Sequence, residues 1–305
     1  MKKIFISLAM LAVASLQADA DLNSGNYNYY DLAELNQPGA FTFTLSGNAV
    51  QNAKFKKWFL DKQKLEYRDA HADITAVFYY EKDCEEGLFA GAGYNNTRLH
   101  WKENPFFTES QFHMASVTLG GFTRRAPKWF WQGRVTMNID TTHSRLSLYA
   151  NYDTLLWGQY AYSRLVNLHV GFLAQTGMKI ERVYPILGFD WQITPSWKLN
   201  AVYPVNLSIA YSLNKCWSFL FAGRFFDHRQ RVGKNEPLSE GLWAYRASGA
   251  ELAVNYDCDS WFKANFHIGS TLWTKLTISN KNNEHKRHFK IKSAPYIGGE
   301  MFVNF

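Results

Sequence analysis

The sequence predicts an all-β protein, a transmembrane antiparallel β-barrel of twelve to fourteen strands behind a cleavable export signal. Three features carry this reading: a short apolar run behind two lysines at the start, alternation of apolar and polar residues from residue 41 to the end, and tryptophans gathered near the predicted strand ends. After residue 20 nothing approaches the ~18 consecutive apolar residues that a membrane-spanning helix needs. Aromatic residues make up 17% of the chain and eleven residues are Trp, yet the mean hydropathy is only −0.31. Amphipathic helices with apolar residues at i, i+3, i+4 and i+7 are not evident, which argues against an ordinary soluble domain of this length.

Lys2 and Lys3 form a basic n-region, Ile4 to Leu16 an apolar h-region, and Ala18-Asp19-Ala20 a small-residue cleavage site. The expected organisation is a signal peptide over 1–20, a periplasmic N-terminal segment over 21–40 and a barrel over 41–305. No cysteine follows the cleavage site, which argues against a lipid anchor.

Period-2 alternation defines the strands. Trp129, Trp131, Val135, Met137 and Ile139 alternate with Gln132, Arg134, Thr136, Asn138 and Asp140. Val166, Leu168, Val170 and Phe172 stand opposite Asn167, His169 and Gln175, and Trp217, Phe219, Phe221 and Phe225 opposite Ser218 and Arg224. Phe262, Ala264, Phe266 and Ile268 oppose Lys263, Asn265 and His267. The predicted strands are 41–50, 70–81, 87–101, 109–123, 129–140, 145–157, 164–176, 180–193, 197–203, 205–213, 216–227, 241–256, 261–278 and 289–305. With both ends periplasmic, the long connections at 51–69, 102–108, 141–144, 228–240 and 279–288 fall outside, as outer-membrane barrels require. Pro204 interrupts the segment from Trp197 to Leu213; without that hairpin the count is twelve.

Membrane interfaces attract tryptophan. Trp129, Trp131, Trp157, Trp191, Trp197, Trp217 and Trp261 are expected near the periplasmic ends, and Trp58, Trp101, Trp243 and Trp273 near the outer ends or loops. At the C-terminus Ile297, Gly299, Met301, Val303 and Phe305 alternate with Tyr296, Gly298, Glu300, Phe302 and Asn304. This resembles the C-terminal signature of outer-membrane proteins, which implies that Phe305 is the signal read by the barrel-assembly machinery. Trp197 to Pro204, followed by Leu207 to Asn214 and Trp217, resembles a pattern in an uncharacterised, porin-like family of Gram-negative outer-membrane β-barrel proteins. That resemblance implies location and fold, and no activity.

Barrel hydrolases pair a Ser with a His to make a nucleophile at neutral pH. Here His143 and Ser144 are adjacent and would point to opposite faces of a strand, and no His-x-Ser occurs. Single histidines without a Cys/His cluster argue against a metal or cofactor site. The chain is therefore read as non-enzymatic, its lumen lined by Arg134, Asp140, Asp153, His169, Asp190, Arg224, Lys263, His267 and Glu300, with Asp73, Arg145, Arg182 and Glu251. Mixed charge predicts a porin-like channel for small solutes with weak ion selectivity. The competing expectation is a closed barrel whose lumenal charges pair.

The net charge is +7. The excess sits in predicted outer loops, at Lys54, Lys56, Lys57, Lys62, Lys64 and Arg68, at Arg229, Arg231 and Lys234, and at Lys281, Lys286, Arg287, Lys290 and Lys292. Such clusters attract phosphates and sulfates, so lipopolysaccharide or a host polyanion is the expected partner; nucleic acid is disfavoured by the compartment. Cys84, Cys216 and Cys258 all fall at the periplasmic end, an oxidising side. Cys216 and Cys258 are neighbours around the wall and can bond if their turns lean together. Cys84 would then remain free to cross-link a partner, which resembles the disulfide-linked envelopes of chlamydiae.

Overall fold

The computed structural model describes residues 41–56, 60, 62–143, 145–259 and 261–305. The expected signal peptide, the 21–40 segment, Lys57, Trp58 and Ser144 lie outside the described residues. The strands in chain order are β1 (Phe41–Lys54), β2 (Lys64–Glu81), β3 (Glu86–Trp101), β4 (Gln111–Thr123) and β5 (Trp129–Asp140). A single-turn helix α1 (Leu146–Tyr149) precedes β6 (Ala150–Ala161), β7 (Val166–Gly177) and β8 (Ile180–Thr194). There follow β9 (Trp197–Tyr203), β10 (Asn206–Ser212), β11 (Trp217–Arg231), β12 (Leu242–Asp259), β13 (Phe262–Ser279), β14 (Arg287–Ile291) and β15 (Pro295–Asn304).

From β1 to β13 each strand pairs antiparallel with the next, and β15 pairs with both β13 and β1, so the sheet closes on itself. Because β14 and β15 lie along the same side of β13, they form one interrupted last strand, and the wall has fourteen positions. The segment around Pro204 is a true hairpin, which settles the count at fourteen. Short turns and Phe305 gather at one end, called here the turn end; the long connections gather at the other, the loop end. The connection at 51–69 is shorter than expected because β1 and β2 extend to Lys54 and Lys64. The strand expected from 145 begins only at Ala150, after α1.

The outer surface is inverted relative to a soluble protein. Leu88, Val117, Leu119, Val135, Leu168, Val170, Leu187, Phe221, Leu252, Phe266 and Ile268 are exposed around the belt, while Asp69, Thr97, His169, Asp190, Glu251 and His267 are buried inside. Lipid-facing apolar residues with a polar interior are what the period-2 pattern encodes. Trp191, Trp197, Trp217 and Trp261 stand on the exposed side at the turn end. Trp101, Trp157 and Trp243 correct the expectation of interfacial tryptophans, for they are 5%, 4% and 0% exposed and point inward.

The wall is uneven. β9 and β10 are seven residues each, the shortest of the first thirteen strands, so β8 is paired on the β9 side only from Leu187 to Thr194, and β11 on the β10 side only up to Gly223. Pro185 falls in the unpartnered stretch of β8, the kind of strand edge where proline is tolerated. Beyond Gly223 β11 has no neighbour on the β10 side, and the β11–β12 hairpin curls into the barrel while β12 stays paired with β13 up to Leu242 opposite Ser279. Both its faces are buried: residues 241–249 are buried apart from half-buried Arg246, whereas a wall strand would show alternate residues to lipid. On one face Phe226 and Tyr245 pack on Tyr67, and Trp243 on Phe112. On the other, Asp227 and Arg229 line a small cavity with Asp153, Gln175 and Met178 of the opposite wall.

Candidate functional site

The lumen is the site, and three layers of it differ in chemistry. In the middle, Arg224 of β11 binds Glu251 of β12 at 2.6 and 3.1 Å and Glu300 of β15 at 3.1 Å. Tyr296 donates to Glu251 at 3.0 Å, and His267 Nε2 lies 2.8 Å from Asn48, which in turn donates to Asp69 at 3.2 Å. A cation between two carboxylates, one of which also accepts from Tyr296, is a buried charge network in which removing the cation would leave uncompensated charge. Across the lumen, His169 lies 3.2 Å from Asp190 and Lys198 3.8 Å from the same carboxylate. Asp153 accepts from Asn138 at 2.8 Å and Gln175 at 3.0 Å.

Beside these groups lies an apolar lumenal patch that strict alternation does not predict. Leu155, Trp157, Leu173, Tyr184, Ile186 and Val202 project inward from β6 to β9, and Phe225 and Val205 pack on them beside the short β9–β10 hairpin. Trp157 stacks on His169 with ring centroids 5.4 Å apart. The missed signal was present: Leu155-Leu156-Trp157 breaks strict alternation, which places an apolar side chain on each face.

Above the middle layer the lumen is filled. Phe55, Tyr67, Leu99, Trp101, Phe112, Phe226, Trp243, Tyr245, Leu276 and Phe289 form one buried aromatic core between the wall and the folded-in hairpin. Arg231, at the end of β11 and 1% exposed, donates to the carbonyls of Leu148, Glu240 and Lys281. Glu236 accepts from Thr108 and from the Glu109 amide at 3.0 Å. Gly233 N–H donates to Glu109 at 3.0 Å, and burial nevertheless pushes the Glu109 carboxyl above its ordinary value. Loops from four parts of the wall are thereby tied over the loop end. Toward the turn end, by contrast, Thr118, Arg134, Thr136, Leu220 and Ala222 remain half-buried.

Of the residues expected to line the lumen, His169, Asp190 and His267 are buried, and Arg134, Asp153, Arg224, Lys263 and Glu300 half-buried. Lys263 pairs with Asp257 at 3.4 Å near the turn end. Two assignments are corrected. Asp140 caps the turn after β5, accepting from the amides of Thr142 and His143 at 2.7 and 2.9 Å. Arg145 lies at the loop end, largely exposed, 3.5 Å from Glu240. Among the basic residues, Lys54, Lys56, Lys286 and Arg287 are exposed at the loop end. Arg229 and Arg231 are not loop residues: β11 runs to Arg231, and both head groups are turned into protein, Arg229 toward the Met178 carbonyl at 3.4 Å. Strand length was underestimated there because the hairpin is buried on both faces and has no lipid-facing alternation to read. Cys216 and Cys258 form a disulfide; Cys258 lies within β12 rather than in the turn after it, beside the Asp257 amide that donates to the Cys216 carbonyl. Cys84 is free. Phe305 joins the seam, exchanging backbone bonds with Phe41 at 2.8 and 3.4 Å. Among the described residues no group of His, Cys, Asp and Glu is arranged to hold a metal ion.

A closed antiparallel barrel with an apolar outer belt and a polar, partly filled interior defines the class of outer-membrane β-barrel proteins. No family model matches the chain. It is similar to an uncharacterised protein of Chlamydia pneumoniae, 24% identical over 286 residues, 88% of each chain. It is also similar to one of Chlamydia trachomatis, 23% identical over 283 residues, 87% of each. Among solved structures, it has a TM-score of 0.49 and 9% identity to an outer-membrane channel of Pseudomonas putida F1, covering 88% of this chain and 96% of that one. For the Pseudomonas putida toluene transporter the TM-score is 0.42 and the identity 10%, with 89% and 91% covered.

Proposed function

We propose that this chain is an outer-membrane channel for small solutes, with the turn end in the periplasm and the loop end outside, and that the β11–β12 hairpin is its gate. The observation that carries the reading is the hairpin itself. Wall side chains alone fill barrels of about eight strands, and larger ones need something else to occupy the interior. Here that occupant is a segment of the wall whose β12 strand stays laddered to β13, while its β11 edge is held by ring packing and loop hydrogen bonds that a solute or a change of conditions can compete with. Paired lumenal charges of both signs favour weak ion selectivity. The second reading, a permanently closed structural barrel, draws on the same paired charges and on the aromatic core at the loop end. Single-channel recording on the refolded protein separates the two. Brief, weakly selective openings support the channel; a barrel that folds, inserts and never conducts supports the structural role.

A further inference from the structure

We infer that the outer wall over β1 to β4 carries a site for a phosphorylated, acylated lipid of the outer leaflet, with its phosphate between Arg68 and Arg98. The inference rests on the membrane reading above. Register places the two arginines directly opposite each other on adjacent strands, both exposed and on the lipid-facing side. Like charges in that position repel and destabilise the pair. Arg68 has Glu66 at 3.5 Å, whereas Arg98 has no carboxylate partner among the described residues. At ~3.3 Å per residue and a tilt of ~40°, they stand roughly 33 Å above the turn between β2 and β3, just past a ~25 Å apolar band, where headgroups lie.

The surface around and below them is shaped for the rest of such a molecule. In the same row Ala49 is opposite Arg68, and in the next row toward the membrane centre Gly47 is opposite Ala70. These small residues, closed on one side by Ile297, leave a groove of about 460 Å³ that both arginines also line. A cationic pair at the head of a shallow groove floored by Gly47, Ala49 and Ala70, with Asn96 and Gln111 on one side and Ile297 on the other, complements a phosphate joined to acyl chains. A free phosphate would use only the upper half. The site is distinct from the basic loops, since Lys286 and Arg287 lie beyond β13 and Arg229 and Arg231 are turned inward.

Native mass spectrometry of the refolded protein in detergent, titrated with diphosphoryl lipid A, tests this. Binding is expected to weaken about tenfold in R68Q and in R98Q, in line with loss of a charge-assisted phosphate contact. It is also expected to weaken when Ala70→Leu narrows the groove, and to be unchanged in K286Q. Equal binding of the dephosphorylated lipid, complete displacement by inorganic phosphate at matched concentration, or full binding by both arginine variants would overturn the proposal. Each variant is first checked for heat-modifiable gel migration. Loss of that behaviour in the unaltered protein would defeat the membrane reading, whereas a folded barrel that does not discriminate between the lipids defeats only the lipid site.

Discussion

At the scale of single residues, the side of the wall decides the cost of a change. Val135 and Val170, exposed on the belt, are expected to tolerate exchange for Leu. Replacement by Arg should cost about 2 to 4 kcal/mol near the bilayer midplane. Arg134→Gln on the inner face should leave folding largely intact; urea titrations in lipid vesicles that found equal losses for V135R and R134Q would mean the faces are exchanged. Arg224→Leu is expected to be harmful for a different reason, because Glu251 and Glu300 would remain buried without their cation. At the loop end, Glu109 gives a pH dependence. Its carboxyl is raised by burial, so the tied loops hold more protons than the released ones in the window above the ordinary Glu value. Their stability should therefore fall as pH rises through that window, and Glu109→Gln should remove the dependence, read as protease sensitivity of the loops. Sensitivity that rises with falling pH would reverse the sign.

At the scale of elements, the turn-end disulfide and the folded-in hairpin are the two departures from a plain wall. Cys216 and Cys258 close a long loop that includes the whole β11–β12 hairpin, so the bond should stabilise by roughly 2 to 4 kcal/mol, the usual range for a native bridge. Alkylation before reduction should modify only Cys84; three reactive thiols would show that the bond is absent. Cys84 in its turn also keeps open the proposal of a disulfide-linked envelope partner, which non-reducing gels of whole envelopes would reveal as a larger band. Legibility followed lipid. Strands with one face in hydrocarbon, such as β5 and β7, were readable nearly to the residue because the solvent on each side imposes alternation. The end of β11 was not. With protein on both faces, Phe226 to Arg231 show no lipid-facing alternation, and Arg229 and Arg231 read as loop charges, although the start of β12 was placed within one residue. The apolar lumenal patch was hidden for a related reason, since an inward Leu155 beside an outward Leu156 looks like a single apolar run.

At the scale of the molecule, the protein is a fourteen-position barrel filled at the loop end by part of its own wall, with a smaller buried cluster of Val77, Phe89, Phe122 and Phe130 at the turn end. Closure through β1 and β15 leaves no free sheet edge along most of the wall, so the protein should migrate faster on a gel before boiling than after, and a single position would contradict closure. Phe225 and Ser248 are opposite each other in the register, so replacing residues 226–247 by an Asn-Gly turn keeps the register of the remaining β11 and β12, and removes the β12 partners of Thr274–Ser279 on β13. Single-channel conductance of that variant beside the unaltered protein tests the gate most directly. Small, intermittent currents are expected from the complete chain, and a steady, several-fold larger conductance once the hairpin is gone. Equal conductance in the two, with both folded and heat-modifiable, would contradict the gate.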